Sequence, residues 1–124
     1  MFREKDVRSM GTVLVSEPIS VSRLREIGEE LYGDMVKAVV DVKKDVMAVG
    51  AELHADEEAF LLARNSQQED LWGINIYTDR TSMDMIEFDS MINIRPRQQN
   101  RSRYVEDPQL RADIIQIVHK LVTL

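Results

Sequence analysis

The stretch that decides the fold is MVKAVVDVKKDVMAVGAEL, residues 35–53. Alternate residues are apolar, at the even positions from Val36 to Val42 and at the odd positions from Met47 to Leu53. Such alternation is typical of strands that bury one face. The polar run Lys-Lys-Asp separates the two halves. The stretch therefore predicts an antiparallel β-hairpin.

Working outward from the hairpin, the same reasoning predicts an α+β domain. Helical spacing and capping residues predict helices at 21–32, at 57–63 with Asp56 as N-cap, and from Pro108 to the C-terminus. Further strands are predicted at 12–15, 71–78 and 85–95. The order β-α-β-β-α-β-β-α predicts a mostly antiparallel four- to five-stranded sheet with about three helices on one face. Its first six elements match the ferredoxin-like order.

Length and composition restrict the protein class. The chain has 124 residues, a net charge of −6 and no cysteine. One domain is expected, and thiolate-ligated metals are excluded. The acidity argues against coating of duplex DNA, and no apolar run is long enough to span a membrane. We expect a cytoplasmic protein with a flexible N-terminal extension over residues 1–11 and a single domain over 12–124, because the N-terminus lacks the apolar core of a signal peptide.

A polar face is expected on the side of the sheet that the helices leave uncovered. It would carry four carboxylates: Asp41, Glu52, Glu87 and Asp89. Like charges on neighbouring strands destabilise a sheet unless a cation or an arginine joins them. The set is therefore a candidate Ca²⁺ or Mg²⁺ site or an acid–base pair. The alternative is a hydrated outer face.

The arginine loop, residues 95–103, is the most basic part of the chain. It holds four arginines and no acidic residue, within a chain whose net charge is −6. Arginine binds phosphate and carboxylate groups through paired N–H donors. The loop is therefore a candidate anion site, or alternatively a solvated loop whose arginines pair with acidic residues elsewhere. The candidate ligand-binding residues are Asn93, Arg95, Arg97, Asn100, Arg101, Ser102 and Arg103.

A second candidate site lies where the hairpin leads into the second helix, in the segment Glu52–Glu58. His54 is suited to acid–base chemistry near neutral pH, with Glu52 as a second candidate base. Asp56 and Asp89 are candidate ligands of a divalent cation. The alternative assigns Asp56 to capping, and the glutamates at 57 and 58 to the first helical turn.

Several segments together resemble a small family of uncharacterised prokaryotic proteins, a domain-of-unknown-function family. The resemblance covers about residues 12–123 and implies no activity, cofactor or catalytic residue. Its segments are GDMVKAVVDV, ELHADEE, QEDLWGINIY, FDSMINIRP and NRS.

Three functional hypotheses follow. The first is binding of a phosphate-bearing ligand, a nucleotide or single-stranded RNA, by the arginine loop. The second is a small hydrolase, assisted by a divalent metal, that uses the Glu52/His54/Asp56 cluster. The third is a homo-oligomer whose interface is the polar sheet face.

Overall fold

A computed structural model describes residues 11–81 and 84–124. The predicted extension lies outside the described residues except for Gly11, and it stays a prediction. The described helices are α1 (Val21–Glu29), α2 (His54–Leu62) and α3 (Pro108–Leu121), and the strands are β1 (Val13–Val15), β2 (Ile19–Ser20), β3 (Met35–Asp41), β4 (Val46–Val49), β5 (Leu71–Tyr77), β6 (Ile86–Glu87) and β7 (Val122–Thr123).

The α+β class and the mostly antiparallel five-stranded sheet are confirmed. The strand order is β1-β4-β3-β5-β6, and every neighbouring pair is antiparallel. The quoted hairpin forms β3 and β4, and β3 is the central strand. The sequence did not reveal β2 and β7, which pair in parallel as a separate two-stranded sheet.

Two helical crossovers explain why the helices do not share one face. The chain passes from β1 through α1 to β3, and from β4 through α2 to β5. Both crossovers move in the same direction across the sheet, but β1 and β4 are antiparallel. Since such crossovers are right-handed almost without exception, their helices lie on opposite faces.

The predicted ferredoxin-like arrangement and the single helical layer are both wrong for this reason. In a ferredoxin-like sheet the second crossover would return to the edge beside β1, which would place both helices on one face. Here it leads to the other side of β3, because β5 pairs with β3 over the full length of both strands.

The sheet consequently has a core on each face. The main core packs α1 and α3 against the even positions of β3, and it includes Leu24, Val36, Ala38, Val40, Ile114 and Val118. The smaller core packs Leu61 of α2 against Val39, Ala48 and Leu71. These three strand residues are apolar yet occupy positions of the predicted polar face. Their apolar character was the evidence in the sequence that this face of the sheet is also covered.

The predicted strand 85–95 is much shorter in the structure. Only Ile86–Glu87 pairs with β5, and a 3₁₀ helix follows at Met91–Asn93. The reason is Asn93, whose side-chain amide takes the place of a strand peptide. Its Oδ1 accepts from Gly73 N at 2.8 Å, and its Nδ2 donates to Gly73 O at 3.0 Å. The edge of β5 is thus paired by a side chain.

Candidate functional site

The arginine loop is closed by backbone hydrogen bonds at its base. Arg95 N donates to Asn100 O at 2.7 Å, and Asn100 N donates to Arg95 O at 3.1 Å. Between them lie a 3₁₀ helix at Pro96–Gln98 and Gln99, which adopts a left-handed conformation with φ 58°. The loop is therefore a folded unit.

Arg95 ties this unit to the start of β5. Its guanidinium donates to the carbonyl oxygens of Gln68 and Leu71, the latter at 2.5 Å. It also lies 4.0 Å from the ring centroid of Trp72, in a cation–π contact. Burial lowers the pKa of Arg95, and its Nε is buried without a partner among the described residues. The Arg95 side chain thus fastens the arginine loop to β5.

The two predicted asparagine ligands are also used within the fold. Asn93 is held by Gly73, and its Nδ2 donates to Arg103 O at 3.0 Å as well. Asn100 donates from Nδ2 to the carbonyl oxygens of Asn93, Ser102 and Tyr104. Its Oδ1 accepts from Glu106 N at 2.8 Å. Both amides are buried, so neither is offered to a ligand.

The loop binds a carboxylate of its own chain. Glu106 Oε2 accepts from Arg101 N at 3.0 Å, from Ser102 N at 2.9 Å and from Ser102 Oγ at 2.7 Å. These hydrogen bonds, led by that from the Ser102 side chain, lower the pKa of Glu106. Two backbone N–H groups and the Ser102 hydroxyl thus bind this carboxylate, whereas the arginine side chains expected to hold an anion do not contact it.

The remaining loop arginines divide into one that is paired and two that are not. Arg103 Nε donates to Asp89 Oδ1 at 2.6 Å, an exposed ion pair. The side chains of Arg97 and Arg101 are exposed and have no acceptor within residues 11–81 and 84–124. The alternative stated for this loop was that its arginines pair with acidic residues elsewhere. Arg103 does so.

A cavity of about 440 Å³ lies between the arginine loop, the start of β5 and the first turn of α3. Its lining residues include three acidic residues, two glutamines and Trp72, and none of them is a lysine or arginine. All charged residues among those that line the cavity are therefore acidic. The lining residues are Val42, Glu69, Trp72, Gln98, Gln99, Asn100, Glu106, Asp107 and Leu110.

Each of the three carboxylates has at least one oxygen without a hydrogen-bond partner among the described residues. Glu106 uses Oε2 in the loop, and Asp107 uses Oδ1 to cap α3 by accepting from Gln109 N at 2.9 Å. The Glu69 carboxylate takes part in no hydrogen bond or ion pair with the described residues; only its backbone oxygen accepts, from Gln98 Nε2 at 3.0 Å. All three groups can therefore accept hydrogen bonds from a ligand.

The predicted catalytic pair is separated in the structure. His54 is buried, and its Nε2 lies 2.7 Å from Ile74 O, to which it donates. Burial lowers the pKa of His54 to about 4, so the ring is neutral at physiological pH. The Glu52 side chain is exposed, while its carbonyl oxygen accepts from Tyr32 Oη. No hydrogen bond or ion pair joins the His54 ring and the Glu52 carboxylate.

The predicted metal ligands are likewise dispersed. Asp56 is exposed in the first turn of α2 and does not cap it, because the helix begins three residues earlier than predicted, after Leu53. Asp89 pairs with Arg103. In the described part of the chain, no three His, Cys, Asp or Glu side chains are grouped so that they could hold a metal ion.

Three of the four sheet-face carboxylates, those of Asp41, Glu87 and Asp89, have separate partners, and the Glu52 side chain is exposed. Asp41 is buried and accepts from Lys43 N, Lys44 N and Ser66 Oγ, which fixes the hairpin turn. Glu87 accepts from Asn75 Nδ2 at 2.9 Å and from Tyr77 Oη at 3.0 Å. The expected crowding of like charges is thus relieved by local donors.

Glu57 is the residue whose role the sequence did not reveal. It is fully buried beneath α2, where Oε2 accepts from Ala51 N at 3.1 Å and Oε1 has no partner among the described residues. Burial raises its pKa well above the ordinary value. Glu57 therefore belongs to the buried side of α2, together with His54 and Leu61.

The chain belongs to the family described as protein of unknown function (DUF5674), which matches residues 13–121. This confirms the resemblance to an uncharacterised domain family. Searches of curated proteins and of solved structures gave no match. None of the helices in residues 11–81 and 84–124 combines the length and apolar character needed to cross a bilayer.

Proposed function

We propose that the protein binds a small organic cation, an amine or a guanidinium compound, in the cavity beside the arginine loop. One observation carries the proposal: three carboxylates line this cavity, and no lysine or arginine lines it with them. A ligand that brings positive charge and N–H donors would neutralise this wall. Charge-assisted hydrogen bonds of this kind are the stronger ones in proteins.

Glu69 is the group best placed to bind the ligand directly. Glu69 lines the cavity, and its carboxylate has no protein partner among the described residues. Glu106 and Asp107 add two further acidic residues to the lining of the cavity. Because the loop donors lower the pKa of Glu106, this charge persists below the pH at which an ordinary glutamate is protonated.

The size of the cavity favours a small molecule. About 440 Å³ lies within the range of small-molecule sites in proteins, roughly 300–1,000 Å³. Trp72 and Leu110 supply apolar wall, and the side chains of Gln98 and Gln99 supply neutral hydrogen-bonding groups. The cavity therefore suits a ligand with a short apolar part and a cationic head.

The phosphate hypothesis makes the opposite prediction about ligand charge. A phosphate in this cavity would meet three carboxylates. At the loop it would have to displace Glu106 or rely on the exposed Arg97 and Arg101. The geometry thus favours the organic cation over the nucleotide or single-stranded RNA.

Calorimetric titration tests the proposal directly. The cationic probes are agmatine and putrescine, and the anionic probes are ATP and inorganic phosphate. We expect the cations to bind with Kd between about 10 μM and 1 mM, and more weakly as salt is raised. Binding of ATP or phosphate without binding of the cations would favour the arginine-loop hypothesis. No binding by any probe would overturn the proposal.

A further inference from the structure

The outer side of α2 and the adjoining 3₁₀ helix Met91–Asn93 expose large apolar side chains. Leu53 is 57% exposed, Met91 64%, Leu62 40% and Ile94 38%. We call this surface, with the exposed Ala55 and Ala59, the α2 face. Exposed apolar surface that is concentrated in one region marks an interaction site more often than isolated exposed residues do.

The two parts of the α2 face adjoin each other, because a residue next to each part approaches the same glycine. A Cβ atom built on Gly73 would lie 2.6 Å from Ser90 Cβ and 3.2 Å from His54 Cδ2. Ser90 precedes Met91 and His54 follows Leu53, so the exposed side chains flank the same point of the sheet. Farther along, Phe60 and Ile92 pack on the same small core.

The α2 helix is apolar on more than its buried side. Leu61 points into the smaller core, while Ala55, Ala59 and Leu62 are exposed. In a surface helix the apolar side chains normally form one stripe that faces the core. The outer side of α2 therefore lacks a partner in the single chain.

Charge at the two ends of α2 indicates what covers it. Asp56 and Glu58 lie in the first half, and Arg64 follows the last turn. None of the three forms an ion pair with the described residues. Arg64 lies over the Phe60 ring at 3.5 Å, which keeps its cation beside the α2 face.

We infer that two copies of the chain associate through the α2 face, with their α2 helices antiparallel about a two-fold axis near Ala59. This packing places the acidic start of one helix opposite the partner's Arg64, and the symmetry repeats the contact. Parallel packing would bring like charges together. The small side chains at 55 and 59 allow the helices to approach closely, and a two-fold homodimer is the commonest oligomer.

The test is sedimentation equilibrium of the full chain over three decades of concentration. We expect the mass to rise toward twice the chain mass of 14.3 kDa. Ala59→Glu places like charges on both sides of the axis and should give a monomer. Ala112→Glu, at an exposed position of α3, has the same net charge and should associate like the wild type.

Charge reversal separates a specific interface from general loss of apolar surface. Arg64→Glu should weaken association at least fivefold, and the double change Asp56→Arg with Arg64→Glu should recover part of that loss. Both alter only exposed side chains, so they also test the inference if Ala59→Glu fails to fold. A wild type that stays at the single-chain mass throughout would overturn the inference. The inference would also be overturned if the wild type forms dimers and a folded Ala59→Glu variant, or Arg64→Glu, associates with the same affinity.

Discussion

Ser102 holds the carboxylate of Glu106 with both its backbone N–H and its hydroxyl, at 2.9 and 2.7 Å. The segment that carries four of the chain's arginines therefore uses backbone and hydroxyl donors to bind an anion from its own chain. The contact fastens Glu106 to the loop that the backbone hydrogen bonds between Arg95 and Asn100 close. Glu106 thus belongs both to the folded arginine loop and to the lining of the adjoining cavity.

The first prediction concerns this contact and its dependence on pH. Glu106→Gln should speed amide hydrogen exchange at Arg101 and Ser102 several-fold, because a neutral amide is a weaker acceptor than a carboxylate. In the wild type a pKa below the ordinary value means that the contact is complete near neutral pH. It is lost as pH falls through the folded-state pKa. Carboxyl chemical shifts recorded between pH 7 and 2 measure that pKa, and a midpoint at or above 4.5 would contradict the account.

The second prediction separates two arginines of the same loop. Arg95→Lys should destabilise the protein by about 2 kcal/mol, because lysine cannot bond both carbonyl groups while stacking on Trp72. Trp72 is the only tryptophan, so its fluorescence reports the change directly. Arg97→Lys is the matched control, since its side chain is exposed. Equal urea midpoints for the two variants would show that Arg95 does not tie the loop to β5.

The third prediction concerns His54. A pKa lowered to about 4, from 6.5, means that the unfolded chain binds the proton more readily than the folded one. Stability from this group is therefore complete above pH 6.5 and is lost as pH falls toward 4, on the order of 3 kcal/mol in all. His54→Gln should remove this part of the pH dependence in urea titrations. His119→Gln, at an exposed position of α3, should retain the wild-type slope.

The fourth prediction concerns Glu57, whose effect on stability changes with pH in the direction opposite to that of His54. Its pKa is raised by burial, so the unfolded chain releases the proton first, and stability falls as pH rises above about 4.5. Glu57→Gln removes the ionisation and should stabilise the protein increasingly toward alkaline pH, by about 1.4 kcal/mol for each unit of the raised pKa. Glu29→Gln, exposed in α1, is the control. A constant difference between Glu57→Gln and wild type across pH 4–9 would contradict the assignment.

The parts of the fold set by local patterns could be predicted from the sequence. Alternation over residues 35–53 predicted the central hairpin. Asp107 followed by Pro108 predicted the start of α3, where the side chain of Asp107 does cap the helix. These signals depend on residues close together in the chain, so one sequence contains all of the information.

The parts set by contacts distant in sequence could not be predicted in the same way. Element order does not determine on which side of β3 the chain returns, so α2 was placed on the wrong face. Val39 and Leu71, apolar at polar-face positions, were the available evidence for the second core.

The anion site expected from the sequence and the proposed cation site involve the same loop, but they differ in the charge of the ligand. The sequence shows how many arginines the loop contains, but not that the Arg95 guanidinium stacks on Trp72 or that Ser102 binds Glu106. Both depend on the loop closing between residues 95 and 100. Only after that closure do Glu69 and Glu106 line one cavity.

The most direct test of the central claim is calorimetric titration of agmatine into Glu69→Gln and Glu29→Gln, two variants of equal net charge. Of these two glutamates, Glu69 lines the cavity and Glu29 does not. The account predicts that Glu69→Gln raises the Kd about fivefold, the equivalent of about 1 kcal/mol, while Glu29→Gln keeps the wild-type value. Equal affinities in the two variants would show that agmatine responds to overall charge, and the cavity would lose its proposed function.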